Sequence, residues 1–182
     1  MKRALAITTK ALGPNHPDVA YSIVRLTYLL RDEGKYTETE QLYKRALAIE
    51  EKAPVRQDYD IASNLTYLAD LYTKQGKYAE AEPLYKRGLA IMEQKFGQDH
   101  SSAISSLSGL ALVYERQGKY GQAEPLYKRV LALENAELNP KDYHSYTYLA
   151  ADLENYSKIL RKTNRQKEAA KLEAKAKSLR TW

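Results

Sequence analysis

The sequence predicts an all-α fold, an α-solenoid of stacked helix-turn-helix units, on three observations. The tripeptide Gly-Lys-Tyr recurs at Gly34, Gly76 and Gly118, 42 residues apart both times. A longer pattern travels with it: GKYTETEQLYKRALAI, GKYAEAEPLYKRGLAI and GKYGQAEPLYKRVLAL. Each repeat also carries two stretches whose apolar residues return at helical spacing. A period of this length marks units that bury their apolar faces against their neighbours. Eight helices are expected, counting the opening one.

The chain opens with Met1-Lys2-Arg3-Ala4-Leu5-Ala6-Ile7, which matches Tyr43-Lys44-Arg45-Ala46-Leu47-Ala48-Ile49 at the same offset. Residues 1–12 therefore read as the second helix of a unit whose first helix is absent. Leu5 and Ile7 should leave an exposed apolar edge, open to self-association. Three full units follow, at 16–53, 58–96 and 100–137.

In each full unit the first helix is led in by turn residues. Pro17 after His16, and Asp58 before Tyr59, are helix-start signals. Leu65, Leu68, Ala69 and Tyr72 form the apolar stripe of the clearest first helix. Gly76 ends that helix, as glycine does where the chain must enter positive φ. The second helix then presents Ala81, Leu84, Tyr85, Leu89 and Met92 inward. Glu40 and Lys44, Glu82 and Lys86, and Glu124 and Lys128 are spaced as favourable i,i+4 pairs, worth about 0.2–0.5 kcal/mol each. Pro83 and Pro125 fall near or just beyond the first turn of their helices, where a missing N–H does least damage. Turn-rich stretches separate the units: 13–17, 53–58, 97–100 and Asn139-Pro140-Lys141-Asp142.

The last unit, 140–182, is degenerate. It aligns with the repeat if Asn164 takes the glycine position and about four residues are inserted around Asn139 to Tyr148. Lys171, Glu173 and Lys177 replace the proline, tyrosine and leucine of earlier units, as a cap with a polar outer face would. Residues 141–182 hold ten Lys or Arg and five Asp or Glu, so nearly all of the net charge of +6 sits here. A solvated cap and an electropositive end that attracts an acidic partner both account for it. Of the sixteen tyrosines, those at 36, 78 and 120, at 43, 85 and 127, and at 72, 114 and 156 hold repeat positions and should fill space between helices.

The chain has no cysteine, which excludes disulfides and suits a reducing cytoplasm. No run of about 18 apolar residues exists to span a membrane, and residues 1–10 lack the pattern of a secretory signal. His16 and His100 lie two whole repeats apart and His144 stands alone, so no metal site is expected. Each repeated glycine follows a helix, which excludes a phosphate-binding loop. The serines at 101, 102, 105, 106 and 108 lack a base partner and read as a weakly helical stretch. No catalytic residue, cofactor or enzymatic role is expected.

Residues 65–87 and 107–129 carry a resemblance to tetratricopeptide repeats, more narrowly to the 42-residue variety of kinesin light chains and many bacterial proteins. Leu12-Gly13-Pro14-Asn15-His16-Pro17-Asp18-Val19-Ala20 resembles the link between units in that subgroup. The resemblance implies a right-handed superhelix whose first helices line a concave groove that binds a partner peptide or protein. The chain departs from the pattern at Thr27 and Thr39, and in lacking the paired asparagines of the first helices, with only Asn155 kept.

One stripe of each first helix escapes the expected buried set, and the resemblance puts it on the groove wall. The stripes are Tyr21, Arg25, Tyr28 and Asp32; Ser63, Tyr67, Asp70 and Lys74; Ser105, Gly109, Leu112 and Arg116; and Ala151, Asn155, Lys158 and Lys162. They drift from aromatic to basic. The expected ligand is a peptide with an aromatic residue flanked by acidic ones, the aromatic contact dominating affinity. The tyrosines could instead pack on the next unit. The alternatives are a regulatory or sensor segment of a larger signalling protein and, less favoured, nucleic-acid binding through the basic end.

Overall fold

First helices form where apolar residues return every three or four positions. In α2 (Pro17–Asp32), Val19, Ala20, Ile23, Leu26 and Leu30 are all buried. The structure, a computed structural model, describes residues 1–54, 57–137 and 143–180, and the side chains of these except 32, 137, 143 and 144. The described residues are helical throughout their ordered elements and contain no strand.

Two compact units divide the chain, Met1–Lys95 and Phe96–Trp182. The N-terminal unit holds α1 (Lys2–Leu12), α2, α3 (Tyr36–Lys52), α4 (Asp58–Lys74) and nearly all of α5 (Tyr78–Phe96). The C-terminal unit opens with a 3-10 turn (Ser101–Ala103), followed by α6 (Ile104–Arg116), α7 (Tyr120–Glu137), α8 (Tyr143–Lys162) and α9 (Gln166–Leu179). That makes nine α-helices among the described residues, one more than the eight expected. The opening helix is followed by four complete pairs, because the degenerate last unit keeps both of its helices. In the third full unit Ser101 and Ser102, read as weakly helical, form the 3-10 turn, with α6 starting only at Ile104.

The stops and starts follow the turn chemistry. Gly34, Gly76 and Gly118 have φ of 71°, 74° and 74°, and Asn164 takes the same place at 62°. Asparagine is the side chain that best tolerates this left-handed conformation, which explains how the last unit keeps its turn without glycine. His16 caps α2, its Nδ1 accepting from the Asp18 N–H at 3.2 Å, and His100 does the same for Ser102 at 3.1 Å. The histidines therefore serve as equivalent caps. Among the described residues no cluster of ligand-type side chains could hold a metal. The expected turn at Asn139–Asp142 and the side chain of His144 lie outside the described residues.

Packing runs between helices adjacent in sequence. In the N-terminal unit Val19, Ala20 and Ile23 meet Ala46 and Ile49, with Leu5 of α1 against them. In the C-terminal unit Leu149, Ala150 and Leu153 meet Ala176, flanked by Leu131, Leu172 and Leu179. Helix α1 buries no residue fully and leaves Ile7 61% exposed, so the apolar edge expected there is present. The tyrosines at 43, 85 and 127 and at 72, 114 and 156 are buried as expected. Tyr36, Tyr78 and Tyr120 are not: each is the first residue of its helix, at the end of a pair rather than along it, and none is buried. Pro83 and Pro125 sit six residues into their helices, where each removes one i→i−4 bond.

At the other end, Arg161 holds Glu173 through two hydrogen bonds of 2.7 and 2.6 Å. Lys171 and Lys177 are exposed and Ala169 and Ala176 are buried. The last helix thus has one apolar face and one charged face.

Candidate functional site

A cavity of about 320 Å³ opens in the N-terminal unit between α2, the end of α3 and the start of α4. Tyr21, Tyr28, Tyr59 and Tyr67 line it, together with Arg25, Glu50, Asp60 and Asn64. The periodicity of α2 puts Tyr21, Arg25 and Tyr28 on one stripe, opposite the buried Val19, Ile23 and Leu26. Three of the expected groove residues on α2, and Tyr67 on α4, are therefore brought together around one space.

The tyrosines differ in their surroundings. Tyr21 is 65% exposed, with the Arg25 guanidinium 5.9 Å from its ring centroid. Tyr28 is partly exposed and meets Tyr67 edge to face at 5.7 Å between centroids, while Tyr67 lies 6.2 Å from the fully buried Tyr43. Tyr67 is half-buried, and desolvation raises its phenol well above the usual range. It thus packs on tyrosines of the preceding repeat and presents part of its surface to the cavity.

Sequence reading missed the acids of this cavity. Glu50, only 7% exposed, accepts from Asn64 Nδ2 at 2.7 and 2.8 Å. Burial pushes its carboxyl up to about 7, with the charges of Asp60 and Glu51 adding to the effect and the Asn64 hydrogen bond opposing it. A glutamate near the end of an amphipathic helix reads as solvated. The available signal was its register: the same position holds Met92 one repeat on, which marks it as inward-facing.

The remaining stripe residues are spread over other surroundings. Asp70 accepts from the Tyr85 hydroxyl at 2.6 Å, so it serves a buried tyrosine rather than standing free, and burial raises its carboxyl. Lys74 is exposed. In the C-terminal unit Leu112 is half-buried, Arg116 and Lys162 are exposed, and Lys158 is exposed with its ammonium on Asn155 Oδ1 at 2.8 Å. Gly109, expected to escape burial, is buried: with no side chain to project, its backbone lies within the packed surface. The Asp32 side chain lies outside the described residues. Thr27 and Thr39 are buried, their hydroxyls donating to the carbonyls of Val24 and Lys35.

Comparison with known proteins agrees with this architecture. Two profiles of the tetratricopeptide repeat match, at residues 60–136 and 1–18, together just over half of the chain. The structure is similar to the crystal structure of BtubC (BKLC) from P. vanneervenii, at 19% identity and a TM-score of 0.84 over 99% of this chain and 70% of that one. It is also similar to a putative kinesin light chain with nearly identical TPR-like repeats from Podosopora anserina, at 23% identity and 0.74 over 98% and 83%. A third likeness is to MamA (41-end) from Desulfovibrio magneticus RS-1, at 12% identity and 0.63 over 99% and 93%. At these identities the likenesses establish the fold. No curated protein matches the sequence. No described helix is long and apolar enough to cross a membrane.

Proposed function

We propose a peptide-binding role from the premise that this chain belongs to the tetratricopeptide repeat family. In general terms that fold is a protein-interaction scaffold. The finer reading is that first helices α2 and α4 take a segment of a partner protein in the tyrosine-walled cavity. The observation that carries it is the cavity itself, where aromatic surface is held open instead of being packed away. Tyrosine offers large contact area at low conformational cost, which suits an anchor site.

The C-terminal unit plays a different part in this reading. Arg116, Lys158 and Lys162 are exposed cations and would attract carboxylates of a partner. Exposed pairs contribute only about 0–1 kcal/mol each, so they would act on association rate more than on affinity.

The test is capture of partners by the full chain, followed by binding kinetics for the partner recovered. Tyr67→Ala should speed dissociation. The pair Lys158→Glu and Lys162→Glu should slow association, an effect that fades at high salt. Unchanged kinetics in both variants would place the partner elsewhere on the molecule.

A further inference from the structure

The cavity of the N-terminal unit carries two features that a purely apolar anchor does not need. Its buried side is a carboxyl, Glu50, and Asp60 stands at its exposed side. Its walls are tyrosine rings, whose π faces are electronegative. Two guanidiniums already lie over these rings, Arg25 over Tyr21 at 5.9 Å and Arg31 over Tyr28 at 5.5 Å, of which Arg25 alone belongs to the cavity lining described. Among the lining residues two acids stand against one guanidinium, an excess of negative charge at the wall when both acids are ionised.

The repeat itself does not require an acid at this place. Met92 holds the position of Glu50 one repeat later, and Ser106 that of Asn64, both buried. Among the described residues Glu50 is also incompletely served. An ionised carboxylate offers about four acceptor positions, and Asn64 Nδ2 is the donor that the structure sets against both oxygens. A cation entering the cavity would supply the countercharge and the further donors.

We propose that this cavity accepts a cationic side chain of the partner segment, an arginine in preference to a lysine. The inference rests on the peptide-binding reading of the same cavity and replaces the aromatic anchor expected from sequence with a basic one. A planar guanidinium can lie on a tyrosine face while its fixed fork of N–H groups points at carboxylates, and an ammonium does these two things less well together. The volume suits one long side chain rather than a helix. Carboxylate ligands are disfavoured here by Glu50 and Asp60, which confines any acidic part of the partner to other surfaces.

The experiment is an NMR titration of the full chain with three probes: N-acetylarginine methylamide, the neutral isostere N-acetylcitrulline methylamide, and N-acetyltryptophan methylamide. The arginine probe should shift the resonances of Tyr28, Tyr67 and Glu50 and bind about 5-fold tighter than the citrulline probe. Glu50→Gln should weaken the arginine probe by about 5-fold and Asp60→Asn by about 2-fold, with the citrulline probe unaffected. Asp60 is exposed, so its variant keeps the test alive if Glu50→Gln does not fold. Arg25→Gln removes the resident cation and should tighten the arginine probe by about 2-fold. Equal binding of arginine and citrulline probes overturns the inference. A tryptophan probe that binds this cavity more tightly than arginine also overturns it and leaves the peptide-binding reading standing. No shift with any probe overturns both.

Discussion

At matching repeat registers the two compact units bury different chemistry. In the N-terminal unit Glu50 faces Asn64, an acid against an amide. In the C-terminal unit the same two registers hold Glu134 and Asp152, an acid against an acid, with Ser108 Oγ donating to Asp152 at 2.5 Å. Both carboxyls there are pushed up, by burial first, and each acid faces the other, so the pair holds a proton more tightly than a lone carboxyl would. A second contrast concerns the repeated tyrosine of the second helix. Tyr85 donates to Asp70 at 2.6 Å. Its equivalent Tyr127 is set against Glu115, from a register one helical turn later, and neither Tyr127 Oη nor Glu115 Oε2 completes a hydrogen bond. The repeat thus prescribes apolar seams and the tyrosine, and leaves each seam to find its own polar partner.

These buried acids make the stability of both units depend on pH. Glu50, Glu134 and Asp152 all hold protons more tightly folded than unfolded. Their contribution to stability is therefore complete below the ordinary values, 4.5 for the glutamates and 3.8 for Asp152, and is lost as pH rises. For Glu50 the loss ends around pH 7. For the acid pair it continues past neutrality, because ionising both members sets two negative charges side by side.

The largest expected effect comes from making the N-terminal unit resemble the C-terminal one. Asn64→Asp should destabilise α3 and α4 by about 2–4 kcal/mol at pH 8, with much less cost at pH 5, read by hydrogen exchange of their amides. An equal cost at both pH values would show that lost packing, not charge, is responsible. The reverse exchange, Asp152→Asn, should stabilise α7 and α8 at pH 8 by about 1–3 kcal/mol and flatten their pH dependence. A destabilised variant with the slope unchanged would mean that the pair does not share a proton.

Smaller effects sharpen the tyrosine contrast. Tyr85→Phe leaves Asp70 without its donor and should cost about 1–3 kcal/mol. Tyr127→Phe removes a hydroxyl that completes no hydrogen bond, and chemical denaturation should find it within about 1 kcal/mol of the parent. Similar costs for both would erase the distinction. The smallest gain concerns the turns. Asn164→Gly should stabilise the last unit by a few tenths of a kcal/mol to about 1 kcal/mol, while Gly118→Ala should cost about 1–2 kcal/mol. Thermal unfolding of the two variants distinguishes these opposite signs.

Much of the architecture was legible because it is periodic. The helix pairs follow from apolar spacing, the turns from Gly34, Gly76, Gly118 and Asn164, and the polar face of the last helix from Lys171, Glu173 and Lys177. The exposed edge at Ile7 follows from the register of residues 1–12. Part of the cavity was legible too, since Tyr21, Arg25 and Tyr28 share a helix stripe. What escaped reading are residues whose environment is set by a neighbouring helix: Asp70 bound to Tyr85, Gly109 buried, Tyr36 open at a helix end.

Sequence alone determined where the helices lie and which faces they bury, because helix formation and amphipathic packing depend on residues a few positions apart. The tertiary structure decided which polar side chains meet. Glu50 and Asn64 are fourteen residues apart, Glu134 and Asp152 eighteen, and a partner at that distance is chosen by how helices of successive pairs pack. Burial then sets the charge of each acid, so the chemistry of the cavity and of the buried pair exists only once the helices are in contact.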